Sequence, residues 1–148
     1  RQAPIMLAHA ARGILSNSII AVPQSDDPSN SLRCYPRRPA DGKIDWELSA
    51  TQIHRLIRSS SRPFSGAYSA IEGVTRVHIW RADLVSEFEP FCAVPGQVCY
   101  AVDGDAIIAC GDGILRLREV SISGMDAETS MKKITKSLRG RLFGVGSE

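Results

Sequence analysis

The strongest constraint on the fold is a change of apolar period at Gly66. Before it, apolar residues recur at steps of three and four; after it, they alternate. Residues 67–71 (AYSAI) and 75–82 (TRVHIWRA) flank Glu72-Gly73 and read as a hairpin. Residues 97–102 (QVCYAV), 105–110 (DAIIAC) and 114–122 (ILRLREVSI) read as three further strands. Asp103-Gly104 is a strong tight-turn signal between the first two of these, and Gly111-Asp112-Gly113 joins the second pair. In the last strand Leu115 and Leu117 face one way, Arg116 and Arg118 the other. Asp83 to Pro95 is irregular, with an acidic patch at Glu87 and Glu89. Short strands of this kind with helices at the periphery predict an α+β, mainly β fold, an OB-like small barrel.

Three helices are expected around it. Over 4–22, Pro4 suits a first turn, Leu7, Ala11, Ile14, Leu15 and Ile19 form one apolar face, and Pro23 ends the run. Residues 23–45 carry Pro, Ser, Asp and Asn without an apolar period, which predicts a linker laid over a surface. Ser49 and Gln52 then make a capping box, with Leu48 and Ile53 as a hydrophobic staple. Ile53, Leu56 and Ile57 form the apolar stripe, His54, Arg55 and Arg58 lie off it, and Arg62-Pro63 ends the helix. A last helix is expected over 127–139, with Met131, Ile134 and Leu138 apolar and Lys132, Lys133 and Lys136 exposed.

Composition removes several function classes. The chain has 148 residues, 43% hydrophobic and 23% charged, which fits about one globular domain and not global disorder. No apolar run approaches the roughly 18 residues of a membrane span. A net charge of +2 does not by itself imply nucleic acid. The first residue is Arg1 and no leader pattern follows, so a piece of a longer, cytoplasmic protein is expected.

Cys34, Cys92, Cys99 and Cys110 form no C-x-x-C pair, and no His stands at zinc-ligand spacing, so no metal site is expected. Cys99 and Cys110 lie in strand-like runs and read as core or sheet residues of a cytosolic protein. His9, His54 and His78 are each alone in their segments and read as surface or packing residues. The G-D-G at 111–113 lacks a third glycine, since position 116 is Arg, and a strand follows it; it reads as a turn, not a dinucleotide loop. Trp46 and Trp80 read as core anchors.

Two basic groups are candidate sites. Arg33, Arg37 and Arg38 sit in a proline-stiffened loop, and arginines suit bidentate phosphate recognition. Lys132, Lys133, Lys136, Arg139 and Arg141 could track phosphates, or could be the solvated face of a helix.

The stretch CYPRRPADGKIDWELSATQIHRLIRSSSRPFSGAYSAIEG resembles the methionyl-tRNA formyltransferase superfamily. The resemblance is carried by Tyr35-Pro36-Arg37-Arg38, Asp41-Gly42, Ile44-Asp45-Trp46, the capped helix from Ser49, and Arg62-Pro63-Phe64 leading to Gly66-Ala67. Ile79-Trp80-Arg81-Ala82, Pro95-Gly96 and Ala109-Cys110-Gly111-Asp112-Gly113 continue it, and it covers roughly residues 30–120. One departure is Phe64-Ser65-Gly66, where the family commonly has a proline before the glycine. The resemblance implies a protein in two parts. An N-terminal Rossmann-like domain binds 10-formyltetrahydrofolate and carries a catalytic Asn, His and Asp, and a C-terminal barrel follows. The family's N-x-H-x-S-x-L-P block is absent: Asn17 and Asn30 are the only asparagines, and neither has a His two places later.

The expected organisation is therefore the last helix of an absent formyltransferase domain over 1–22, a linker over 23–45, and an OB-like C-terminal domain over 46–148. The chain is expected to bind no folate and to be inactive alone, its partner being the N-terminal formyltransferase domain. The expected acceptor is an amino sugar nucleotide held by Arg37, Arg38 and Arg33. The alternatives are a tRNA-binding domain using the C-terminal basic residues, and a non-catalytic interaction or homodimerisation module.

Overall fold

The computed structural model describes residues 2–32, 34–71, 75–87, 92–136 and 140–143. It divides into two compact units, Arg1–Pro36 and Arg37–Glu148.

In the first unit, α1 spans Ala3–Leu15, with Pro4 in its first turn. It stops before Val22, short of the span its apolar spacing predicts, and the cause is local. Asn17 takes the left-handed conformation at φ 53°. The N–H groups of Ser18 and Ile19 donate to the Gly13 carbonyl at 2.9 and 3.2 Å, and the Ser16 hydroxyl donates to Arg12 O at 2.9 Å. These bonds satisfy carbonyls that a longer helix would use, and they fold Ile19 back onto Gly13. Ile19 therefore continues the apolar period as a capping contact. Ile5, Leu7, Ile14 and Leu15 are all exposed.

In the second unit, the capping box at Ser49 starts α2, Ala50–Ser60. The Gln52 N–H donates to Ser49 Oγ at 3.3 Å, and the Ser49 N–H donates to Gln52 Oε1 at 3.1 Å. Such a cap contributes about 1 kcal/mol. Ile53 and Ile57 are fully buried and Leu56 packs at the core's edge, so the predicted stripe faces the sheet.

The strands are β1 (Ala67–Ile71), β2 (Thr75–Leu84), β3 (Val98–Val102), β4 (Asp105–Ala109), β5 (Ile114–Ile122) and β6 (Leu142–Phe143). They form one antiparallel sheet in the order β3-β4-β5-β2-β1-β6. The first five fall where alternation predicts them. The Glu72-Gly73 turn lies outside the described residues, but Ile71 and Thr75 pair across it. At the β3–β4 turn, Asp105 Oδ2 accepts from Arg116 Nε at 2.7 Å and Arg118 Nη1 at 2.6 Å, which pins the outward face of β5.

The sixth strand is not foreshadowed by the pattern, and it joins the ends of the sheet. Leu142 and Phe143 pair with Ile71 and Ala70. On the other side, Leu142 N–H donates to Gly96 O at 2.8 Å, and Val98 N–H donates to Gly140 O at 3.0 Å. The segment before β3 and the strand beside β1 thus share one piece of chain, and the curled sheet takes the expected OB-like form. Inside it lie Ile44, Val77, Ile79, Leu115 and Leu117, each fully buried. The third helix, α3, spans Ala127–Thr135 and covers the core with Ile134 and Met131. Asp126 caps it, accepting from Thr129 N–H at 2.8 Å. Positions 137–139 of the predicted helix, Leu138 among them, lie outside the described residues.

The two tryptophans differ. Trp46 is a core anchor, 4% exposed. Trp80 is half-buried on the outward face of β2, because it alternates with the buried Ile79. Cys110 is buried, and burial first, with Cys99 and Asp112 nearby, pushes its thiol up to about 12. The four cysteines are free, and Cys34 and Cys92 are exposed.

Candidate functional site

The two basic groups of the sequence meet different fates. Arg37 and Arg38 line one hollow of about 210 Å³ with Pro39, Ser59, Ser60 and Phe64. Arg37 is engaged there. Its Nη1 donates to the Ser59 hydroxyl and, at 3.2 Å, to the Ser60 hydroxyl, at the C-terminal end of α2 where a cation is favoured by the helix dipole. Arg38 is exposed; its main-chain N–H donates to Asp41 Oδ2 at 2.7 Å, opening a short 3₁₀ turn over Pro39–Gly42. Arg33 lies outside the described residues.

The second group is drawn together. Lys132 and Lys133 of α3, Lys136 just after it and Arg141 beside β6 line one open cleft of about 1100 Å³, whose floor includes Ile71, Val98 and Leu142. Its sides are set by local chemistry. Ile134 of α3 is buried, so the lysines on either side of it fall on the outward part of the helix. Arg141 is held by its Nε donating to Pro95 O at 3.0 Å, with its guanidinium 5.4 Å from the Phe143 ring centroid. No acidic residue lines the cleft among the described residues; Glu128 at its margin accepts from Lys132 Nζ at 2.6 Å. Lys132 is held further toward its charged form by that carboxylate. Arg139 lies outside the described residues. A third hollow, of about 640 Å³, adjoins this cleft through Arg141, Leu142 and Phe143 and mixes Lys43 with Asp45 and Glu47.

Volume and charge decide between these places. Small-molecule sites run to about 300–1,000 Å³. The Arg37–Arg38 hollow is smaller than that and one of its guanidiniums is committed to serine hydroxyls. The lysine cleft is larger, open and lined by cations, which suits an extended polyanion. Among the described residues no group of three or more His, Cys, Asp or Glu could hold a metal ion, and no helix is long and apolar enough to cross a membrane.

Two features escaped the sequence reading. One is the Arg37 bond to Ser59 and Ser60, which no local pattern announces. The other is a row of outward rings and arginines on β1 and β2. Its signal was present, since Arg76, His78 and Trp80 alternate with Val77 and Ile79.

Residues 37–137 match the family model for the formyl transferase C-terminal domain. The chain belongs to this family. Among curated relatives it is similar to a methionyl-tRNA formyltransferase of Lachnospira eligens, 32% identical over 122 residues, covering 80% of this chain and 38% of that protein. It is also similar to a methionyl-tRNA formyltransferase of Geobacter metallireducens, 31% identical over 97 residues, covering 64% of this chain and 29% of that protein. The chain thus spans well under half the length of these relatives. Among solved structures, a variant of HypX from Aquifex aeolicus shares the fold at a TM-score of 0.52 and 19% identity, over 79% of this chain and 19% of that one. HypX in complex with tetrahydrofolic acid matches at 0.51 and 18% identity, over 82% and 20%.

Proposed function

We propose that this chain is the acceptor-binding part of a folate-dependent formyltransferase, and that the acceptor it grips is a tRNA. The observation that carries the reading is the cleft in which Lys132, Lys133, Lys136 and Arg141 converge, with no acidic residue among the described residues that line it. Four cations on one face contact successive phosphates of a backbone, releasing counterions as they do. The names of the curated relatives agree with this acceptor. The modest net charge of the chain is no obstacle, because four of its cations share one cleft while the carboxylates of Asp83, Asp103 and Asp105 pair with arginines at the β3–β4 turn and on β2 and β5.

Formyl transfer itself belongs to a preceding domain. The sequence lacks the N-x-H block, so neither the folate nor any step of the transfer is assigned to residues 1–148. We read 1–22 as the last helix of that domain, whose exposed Ile5, Leu7, Ile14 and Leu15 pack into it, and 23–45 as the connection. An amino sugar nucleotide is the second reading, supported by the pairing of Arg37 and Arg38 in one hollow.

Titrating tRNA into the full protein at several salt concentrations tests the assignment. Four phosphate contacts give a log–log salt slope of about −3 to −4. Replacing Lys132, Lys133 and Lys136 by Gln flattens that slope and weakens binding. Absence of tRNA binding at low salt, with Arg38-dependent retention of a nucleoside diphosphate amino sugar in equilibrium dialysis, overturns it in favour of the second reading.

A further inference from the structure

The outward faces of β6, β1 and β2 carry aromatic rings and arginines in alternation. Tyr68 and His78 are direct partners across β1 and β2, with ring centroids 6.3 Å apart. Two residues along β2, Trp80 stacks on His78 at 5.8 Å and 26°. The Arg76 guanidinium lies 4.5 Å from the Tyr68 centroid, and the Arg62 guanidinium 4.4 Å from that of Trp80. At the other end Arg141 lies by Phe143. Register makes the row continuous: Phe143 pairs with Ala70, and Ala70 with Arg76. The row thus starts at two residues of the basic cleft and runs to Trp80.

We propose that this row is a stacking platform for unpaired nucleotides of RNA, continuing the path of a backbone that leaves the lysine cleft. The proposal rests on the tRNA reading above and names where single-stranded bases of that RNA lie. Three observations point to it. On β2 His78 and Trp80 alternate with the buried Val77 and Ile79, so their half-buried rings stand on the outward side of the strand. Every base has a π-face, so a row of rings takes successive bases without regard to sequence. A guanidinium lying by a ring can itself stack on a base, and those of its donors not used within the fold can reach phosphate oxygens. Arg62 is held in place by Glu119 Oε1, which accepts from its Nη1 at 2.6 Å. A ladder serving only the sheet would be satisfied by ring–ring contact and would not need the exposed Arg76 guanidinium over Tyr68.

The test uses the full protein, a short fluorescein-labelled oligouridylate, and the abasic phosphodiester of the same length. The oligouridylate should bind at least about ten-fold tighter than the abasic strand, and Tyr68→Ala and Arg76→Gln should each remove most of that difference. Binding should quench tryptophan emission, and Trp80→Leu should abolish the quenching, because Trp46 is sealed in the core. Arg76→Gln changes an exposed side chain, so it keeps the test decisive should Tyr68→Ala fail to fold. Equal affinity for the two strands, or an undiminished preference in folded Arg76→Gln, overturns the platform. If those variants bind normally while the lysine replacements lose tRNA, the platform falls and the tRNA reading stands. If the lysine replacements bind tRNA undiminished, the lysine cleft falls as the tRNA site, and with it a platform that continues from that cleft.

Discussion

Trp46 donates its indole N–H to the Ser69 hydroxyl at 2.9 Å, and that hydroxyl donates in turn to the Phe143 carbonyl at 2.8 Å. Ser69 is fully buried, so one hydroxyl connects the turn that precedes α2, the middle of β1 and the strand that joins the ends of the sheet. Ser69→Ala would leave a buried indole N–H and a carbonyl without partners. Each such group costs about 1–3 kcal/mol, so a loss of about 2–4 kcal/mol is expected. Thermal unfolding measures the loss, and faster hydrogen exchange at Leu142 places it at β6. A shift in melting temperature below a few degrees would show that β6 is held by its backbone bonds alone.

What could be read from the sequence follows from range. The Ser49–Gln52 box and the Asp103-Gly104 turn are local, so four residues suffice to announce each, and both are where expected. The inward Leu115 and Leu117 and the outward Arg116 were equally legible, because a pleat alternates strictly. The end of α1 was missed because apolar spacing continues through Ile19 while Asn17 and two serine hydroxyls divert the backbone bonds. β6 was missed because two residues have no period; its position depends on Gly96 and Ile71, far away in sequence. The lysines of the cleft were legible as a group, but their convergence with Arg141 on one cleft was not, and neither was the capture of Arg37 by α2.

His78 makes stability depend on pH. Burial first, and then the neighbouring Arg76 charge, hold its imidazole below the ordinary value of 6.5. The fold therefore favours the neutral ring. Above pH 6.5 the unfolded chain is neutral there too, and the full stability is present. As pH falls below 6.5 the unfolded chain takes up a proton that the folded chain resists. Stability is lost from there down through the folded pKa. Denaturant titrations between about pH 6.5 and 5, above most carboxylate titrations, should show this decline, and His78→Phe should reduce it while keeping a ring between Tyr68 and Trp80. An identical slope in the variant would assign the decline to other groups.

Gly111 is required by proximity and not by its backbone angle. Its N–H donates to Trp46 O at 2.8 Å and Leu48 O at 3.0 Å, which draws the turn before α2 down onto the β4–β5 connection. A Cβ at this position would stand 1.8 Å from Glu47 O and 2.6 Å from Glu47 C. Those are backbone atoms and cannot rotate aside, so Gly111→Ala must push the Trp46–Leu48 turn away and break both bonds. A cost of about 3 kcal/mol or more is expected from the clash and the lost bonds together. Gly104 provides the contrast. It has φ +85° and nothing within 4 Å of an added Cβ, so Gly104→Ala carries only the left-handed strain of about 1–2 kcal/mol. Parallel chemical denaturation of the two variants should place Gly111→Ala clearly below Gly104→Ala, with Trp46 emission shifting to the red only in the former. The reverse order would mean that the 46–48 turn is not seated on Gly111 and that the start of α2 is positioned by its cap alone.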